Sequence, residues 1–192
     1  VNAMNRAIDK IRIGLGPYAN AVKFMHAPAH GSEGIDLGSY ASWCPSNVDI
    51  VSVSWHPRAA QNSALKLTQY NNGEDDPISY GLSELLAYSI STGKPMCFPE
   101  WSPRYEAGTG VACPVADLAM DSFDAFLTAN AARIICDCVY HQKTLDVNGY
   151  EPTDTAGRAA WARAVSIFKT KWSTTVGTPY GSINLGGISV AD

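Results

Sequence analysis

The sequence is poor in charge and has no strong excess of either sign. It has 14 Lys and Arg against 18 Asp and Glu, and charged residues make up 17% of the chain. A net charge of −4 argues against nucleic acid as a partner, because a phosphate backbone is bound by clustered Lys and Arg. No apolar run approaches the ~18 residues that a membrane span requires, so we expect no such span.

A recognisable targeting segment is also missing. The chain starts at Val1, and its first residues already have helical periodicity, so we expect a piece of a longer protein whose N-terminal signal is not visible. With 192 residues, 46% of them hydrophobic, the chain suffices for one globular unit. Our expectation for its location is extracellular or secreted.

Cysteine is scarce and occurs in no C-x-x-C pair, which disfavours a zinc or thioredoxin-type site. Cys97, Cys136 and Cys138 lie in predicted strands, where a free Cys acts as a small core hydrophobe. Cys44 and Cys113 lie in predicted loops, each beside a proline. Export would allow one disulfide between these two.

What the sequence does contain is an alternation of helical and extended segments. Apolar spacing predicts helices over residues 2–14, 78–92, 114–130 and 156–172. Short apolar runs predict strands over residues 22–26, 48–55, 94–100 and 133–140. Residues 31–47 and 57–77 are polar and are predicted loops. This order favours an α/β fold with a parallel sheet, equal to about half of a (β/α)8 barrel.

One predicted strand ends on a carboxylate. Lys94-Pro95 begins the extended run, and Glu100 follows its apolar residues. A carboxylate rarely ends an apolar strand unless it is paired or functional, and barrel enzymes keep their catalytic groups at the carboxyl ends of strands. Glu100 is therefore the leading catalytic candidate. Met96 and Phe98 share its phase, so we expect them to point into the barrel interior with it.

Three segments resemble the C-terminal half of a clan A glycoside hydrolase, in particular the family 26, β-mannanase-like enzymes. Residues 12–24, with the Gly16-Pro17 break, resemble the helix that leads into strand five, and residues 48–53 resemble strand six. Residues 93–101, with Phe98-Pro99-Glu100-Trp101, resemble strand seven, which ends on the nucleophile. The resemblance spans residues 1–172, the last four βα units of the barrel, and leaves residues 173–192 as an irregular tail.

This resemblance implies a retaining endo-β-glycanase, mannanase-like or exopolysaccharide-degrading, with Glu100 as nucleophile. Such an enzyme needs a second carboxylate ~5–5.5 Å away as acid and base. In this clan that residue comes from strand four, which would precede Val1, so the fragment alone would lack it. Where the family has a Tyr that hydrogen-bonds the nucleophile, this chain has His56, which we expect to orient Glu100.

The resemblance implies no cofactor and no metal. Its implied partners are a polysaccharide or oligosaccharide substrate and whatever completes the barrel, either the missing N-terminal half or another chain. Five residues at or just after strand ends are the candidate substrate-binding set: Trp55, Trp101, His26, Tyr140 and His141. Sugar rings stack on aromatic faces, although packing at the barrel mouth would explain the aromatic members equally well.

Two alternatives stay open. Histidines at strand ends are typical of metal-dependent amidohydrolase barrels, in which His26, His56 and Asp137 would be the ligands; Asp137 falls mid-strand, which disfavours this hypothesis. A chain without its general acid is also consistent with a non-catalytic structural or carbohydrate-binding module of a larger assembly.

Overall fold

A computed structural model describes residues 1–28, 39–57, 62–74, 81–101 and 115–139, together with residues 162, 163 and 166. Tyr140, His141, Cys113 and the 173–192 tail lie outside the described residues. The same holds for nearly all of the predicted helix 156–172, so the predicted domain division stays a prediction.

Four strands form one parallel sheet in chain order. They are β1 Met25–His26, β2 Ile50–Ser52, β3 Met96–Trp101 and β4 Ile134–Val139. Val51 pairs with His26 on one side and Met96 on the other, and Cys97 pairs with Cys136. All four predicted strands are confirmed, and β1 and β2 are shorter than predicted.

The described helices are α1 Asn2–Leu15, α2 Tyr40–Trp43, α3 Ala64–Asn72, α4 Leu82–Thr92 and α5 Ala116–Ala129. Short 3-10 turns follow α1 and α5, at Gly16–Tyr18 and Ala131–Arg133. The predictions for α1, α4 and α5 are confirmed. In the part of the chain that the structure describes, no helix has the length and apolar character needed to cross a membrane.

Helix α2 lies within the predicted loop 31–47 and helix α3 within the predicted loop 57–77, so both loop predictions are wrong at these helices. Helix α3 is the longer of the two, with nine residues. The Ser63 hydroxyl caps the helix by accepting from the Lys66 amide, and Gly73 ends it in the left-handed conformation. Leu67 and Tyr70, three residues apart, bury one face of the helix. Two anchoring residues in nine give too weak an apolar pattern to stand out among the surrounding polar residues.

Among the described residues, nearly all buried apolar side chains belong to one cluster, which includes residues from α2, α3, α4 and α5. Buried Cys97 lies outside it. Ile8 of α1 packs against the margin of the cluster. A doubly wound fold would instead reverse its strand order and carry helices on both faces. Strands that run in chain order with one shared helical core are the arrangement of a segment of a (β/α)8 barrel.

The face assignment within β3 differs from the prediction. Phe98 contacts Phe123 and Phe126 of α5, with ring centroids 5.1 Å and 5.9 Å apart, so it faces the helices. Met96 pairs with Val51, and both are fully buried. The expectation that Phe98 points into the barrel interior with Glu100 is therefore wrong, and the face taken by Met96 stays a prediction. A register irregularity between Phe98 and Trp101 breaks the simple alternation on which that expectation rested.

Candidate active site

The carboxyl ends of β2 and β3 lie side by side, and Glu100 is part of that edge. The chain continues past Ser52 to Trp55, whose amide donates to the Glu100 carbonyl oxygen at 2.9 Å. Trp55 also forms a parallel bridge with Trp101. This pairing holds the backbone of His56, the next residue, close to the backbone of Glu100.

The bulge in β3 determines which way Glu100 faces. Phe98 pairs with Asp137 and Trp101 with Val139, so three steps along β3 match two along β4. Phe98 and Trp101 both contact Phe123, which leaves the two residues between them to turn toward the other face of the sheet. Pro99 and Glu100 are accordingly half-buried, whereas the residues on either side of them are fully buried. A carboxylate in this position is open to one face of the sheet.

His56 is held in place by a helix that the sequence did not predict. Its backbone amide donates to the hydroxyl of Tyr70 on α3, at 3.3 Å, and Tyr70 itself is buried. The His56 side chain is half-buried. The structure thus brings His56 and Glu100 to one edge, and the hydrogen bond between their side chains stays a prediction.

His26 ends β1 at the same edge. Its carbonyl accepts the Ser52 hydroxyl at 2.5 Å, and its ring meets Trp43 edge-on at 4.8 Å. Burial lowers the pKa of His26. The ring is therefore neutral at pH 7. Its Nε2 atom is buried and has no hydrogen-bond partner among the described residues, which makes this atom a candidate ligand contact.

The two tryptophans of the predicted substrate-binding set are core residues. Trp55 stacks on Phe123, with centroids 4.4 Å apart and rings 8° from parallel, and Trp101 lies 4.9 Å from the same ring. Both indoles are 0% exposed, and Trp55 Nε1 donates to Asn71 Oδ1 at 3.0 Å. The prediction that they stack on sugar rings is wrong for this structure, because neither face is accessible. The packing alternative accounts for both.

Two further predictions meet the structure differently. Asp137 pairs with Phe98 and is 7% exposed, on the face of β4 opposite to Cys136. Asp137 therefore lies on the face of the sheet that Phe98 shares, away from the face assigned to Glu100. This position disfavours Asp137 as a ligand beside His26 and His56 in an amidohydrolase-type metal site. Cys44 is a buried free thiol, but the predicted disulfide also needs Cys113, which falls outside the described residues.

Fold and site together define an α/β protein built as a parallel-barrel segment with a carboxylate at one strand end. No family model matches the sequence, and a search of curated proteins finds no match. Among solved structures, a modular endo-β-1,4-mannanase from Cellulomonas fimi, described with the glycoside hydrolase family 26 mannanases, aligns at a TM-score of 0.45 and 18% identity. A double mutant of a Cellulomonas fimi endo-β-1,4-mannanase aligns at 0.43 and 16%.

Each of these two alignments covers 73% of this chain and 29% of the mannanase. An engineered protein aligns at a TM-score of 0.39 and 17% identity, over 63% of this chain and 24% of its own. The chain thus spans less than a third of each of these structures. Values this low establish no family membership.

Proposed function

We propose that this chain supplies the nucleophile-bearing part of a retaining glycoside hydrolase that acts on a β-linked polysaccharide, with Glu100 as the nucleophile. The observation that supports the proposal is the β3 bulge: Phe98 and Trp101 both contact Phe123 of α5, and Glu100 lies between them, half-buried at the carboxyl end of the strand. The sequence resemblance of residues 93–101 to strand seven of clan A supports the same role.

The chemistry required of Glu100 fits its surroundings. A nucleophilic carboxylate attacks the anomeric carbon, forms a covalent glycosyl-enzyme, and is released by water that a second carboxylate activates. Glu100 is half-buried, which keeps it accessible, and the paired ends of β2 and β3 fix its backbone. His56 is proposed to orient it, and the second carboxylate is proposed to come from a part of the protein outside the described residues.

The test compares the full-length protein with its Glu100→Gln variant on a panel of β-glycans, with proton NMR to follow the anomer released first. Glu100→Gln should lower turnover by several orders of magnitude, because an amide does not attack the anomeric carbon. The first-formed product should keep the substrate's anomeric configuration. Chemical rescue of Glu100→Ala by azide, giving a glycosyl azide of inverted configuration, would identify the residue directly.

Glu84→Gln is the matched control. Glu84 is another half-buried glutamate, on α4, whose pKa is raised by burial, partly offset by a hydrogen bond from the Tyr40 amide. Its substitution should leave turnover within a few-fold of the parent. Equal activity of Glu100→Gln and the parent, or an inverted product, would remove Glu100 from the nucleophile's role.

A second candidate is a non-catalytic structural or carbohydrate-binding module. Burial of Trp55 and Trp101 favours it, because an endo-acting glycanase depends on aromatic subsites and these two rings are not exposed. Absence of turnover on every glycan by a folded, full-length protein would favour this candidate.

A further inference from the structure

Three cysteines lie together on the face of the sheet that carries Glu100. Cys97 of β3 is the register partner of Cys136 of β4, so their side chains share a face. Cys138 is two residues further along β4, which returns it to that same face. Cys136 is hydrogen-bonded to both Cys97 and Cys138, which makes it the central thiol.

The cluster runs from the interior to the surface. Cys97 is 4% exposed, Cys136 is half-buried and Cys138 is exposed. All three are free thiols. The expectation that each acts as a core hydrophobe is therefore wrong for Cys138. A Cys-x-Cys in a strand places both thiols on one face, and this spacing is the signal in the sequence that points to a cluster.

Geometry favours one pair over the other. Register partners on neighbouring strands are separated by ~4.8 Å, whereas residues i and i+2 of one strand are ~6.6 Å apart. A disulfide needs Cα atoms about 4.4–6.8 Å apart, so the Cys97–Cys136 pair lies well inside the permitted range and the Cys136–Cys138 pair at its upper limit.

Hydrogen bonding also selects the sulfur that reacts first. The Cys97 hydrogen bond lowers the pKa of Cys136 to about 6, aided by Cys138 and opposed by burial and the Asp137 charge. The same contact raises the pKa of Cys97, with burial adding to the effect. The contact thus favours ionisation of Cys136 over that of Cys97, and thiolates are the nucleophiles that peroxides oxidise.

We propose that Cys97 and Cys136 form a reversible disulfide when a peroxide reaches the open face of the sheet. The Cys136 sulfur attacks one peroxide oxygen; an S–O bond forms, the O–O bond breaks, and the other oxygen leaves as water after taking a proton. Cys97 sulfur then attacks the resulting sulfenic acid; the S–S bond forms, the S–O bond breaks and a second water leaves. Two thiols are oxidised and one hydrogen peroxide is reduced to two waters.

The experiment uses the full 192-residue chain, treated with a small excess of hydrogen peroxide and then alkylated, digested and mapped by mass spectrometry. Two thiols should be lost and a peptide linking Cys97 to Cys136 should appear, with both thiols restored by dithiothreitol. Cys136 and Cys138 fall on one tryptic peptide, because no Lys or Arg separates them. The Cys138→Ser variant removes that ambiguity and should still form the link.

Two variants serve as comparison. Cys136→Ser should abolish the loss of thiols from this cluster, whereas Cys44→Ser, which removes a buried thiol hydrogen-bonded to Tyr40 and Tyr88 elsewhere in the core, should leave it unchanged. Circular dichroism checks that each variant folds. A Cys136–Cys138 link, oxidation confined to Cys138, or no reaction of Cys97 and Cys136 in the folded parent would each overturn the proposal. None of these outcomes depends on glycosidase activity.

Discussion

Asp49 connects three parts of the chain through one carboxylate oxygen. Its Oδ2 atom accepts from Arg12 of α1 and from the Phe24 amide ahead of β1, both at 2.8 Å. The Arg12 guanidinium also lies 5.0 Å from the centre of the Phe24 ring. Burial alone would raise the pKa of Asp49, but the two hydrogen bonds and the charges of Arg12 and Lys23 outweigh it and lower this pKa.

The Asp49→Asn variant should be less stable than the parent by about 1 kcal/mol at pH 7, since both side chains of the ion pair are 28–29% exposed and water weakens the pairing. A carboxylate with a lowered folded pKa stabilises fully above its unfolded pKa of ~3.9, and this contribution is lost as pH falls through the folded value. Urea unfolding at pH 7 and pH 3 should therefore show the gap narrowing in acid. Exposed Glu74→Gln is the control, and a gap that widens in acid would contradict this assignment.

The positions of single residues could be predicted from the sequence where they depend only on the residues beside them in the chain. Glu100 at a strand end follows from polarity alone. The burial of Trp55 and Trp101 could not be predicted in this way, because it depends on Phe123, a residue more than 20 positions away on another element. Strand-end position cannot distinguish an aromatic that faces ligand from one that faces a helix.

A glycine makes possible a close contact at the junction between α3 and α4. Gly81 precedes α4, and a Cβ placed on it would lie 2.6 Å from the Gly73 nitrogen and closer still to the Asn71 carbonyl oxygen. Both neighbours are backbone atoms, which cannot rotate away as a flexible side chain can. The two helices meet only because residue 81 has no side chain.

Gly81→Ala should lower the free energy of unfolding by about 3 kcal/mol, since the helices must separate to admit a methyl group. Gly14→Ala is the matched control: Gly14 lies within α1, and its added Cβ would meet no atom within 4 Å. That change should stabilise by about 0.5–1 kcal/mol through helix propensity. Chemical denaturation measures both, and equal effects of the two substitutions would refute the packing argument.

Elements of strong periodicity were predictable, and irregular ones were not. Helices α4 and α5 follow from evenly spaced apolar residues. Helix α3 depends on a capping serine and a left-handed glycine at its two ends. The bulge in β3 depends on pairing with β4, and its signal within residues 94–101 is Pro99, because a central strand accommodates proline at an irregularity. Extrapolating the strand period without regard to Pro99 assigned Phe98 to the wrong face.

The sheet as described has an open edge at β1. Its strand order begins there, and Met25 is 39% exposed. Apolar side chains in the segment that precedes β1 are exposed too, including Ile13 at 79% and Val22 at 39%. An unpaired strand with apolar surroundings invites pairing with another strand, and four strands do not close a barrel. The order and direction of the strands were predictable; what covers this edge was not.

We expect the isolated 192-residue chain to self-associate through this edge. Sedimentation velocity over a hundredfold range of concentration should show a mass that rises with concentration, and Met25→Lys should reduce it because a charge on an edge strand opposes pairing. Leu65→Lys, at a 68% exposed position on α3, is the control that adds the same charge elsewhere. A wild-type chain that stays monomeric throughout would show that the edge is already covered.

The bulge in β3 also separates, within one six-residue strand, the residues that pack against α5 from the residue proposed to carry the chemistry. Phe98 and Trp101 carry the packing against α5, while Pro99 and Glu100 face away from it. Evolution can therefore change residue 100, and with it the chemistry at the strand end, without rebuilding the hydrophobic layer beneath. In a strand that alternates strictly, inserting or deleting one residue at this point would move every later side chain to the opposite face of the sheet. Because of this irregularity, residue 100 can be substituted, and the chemistry at the strand end changed, with little loss of folding stability.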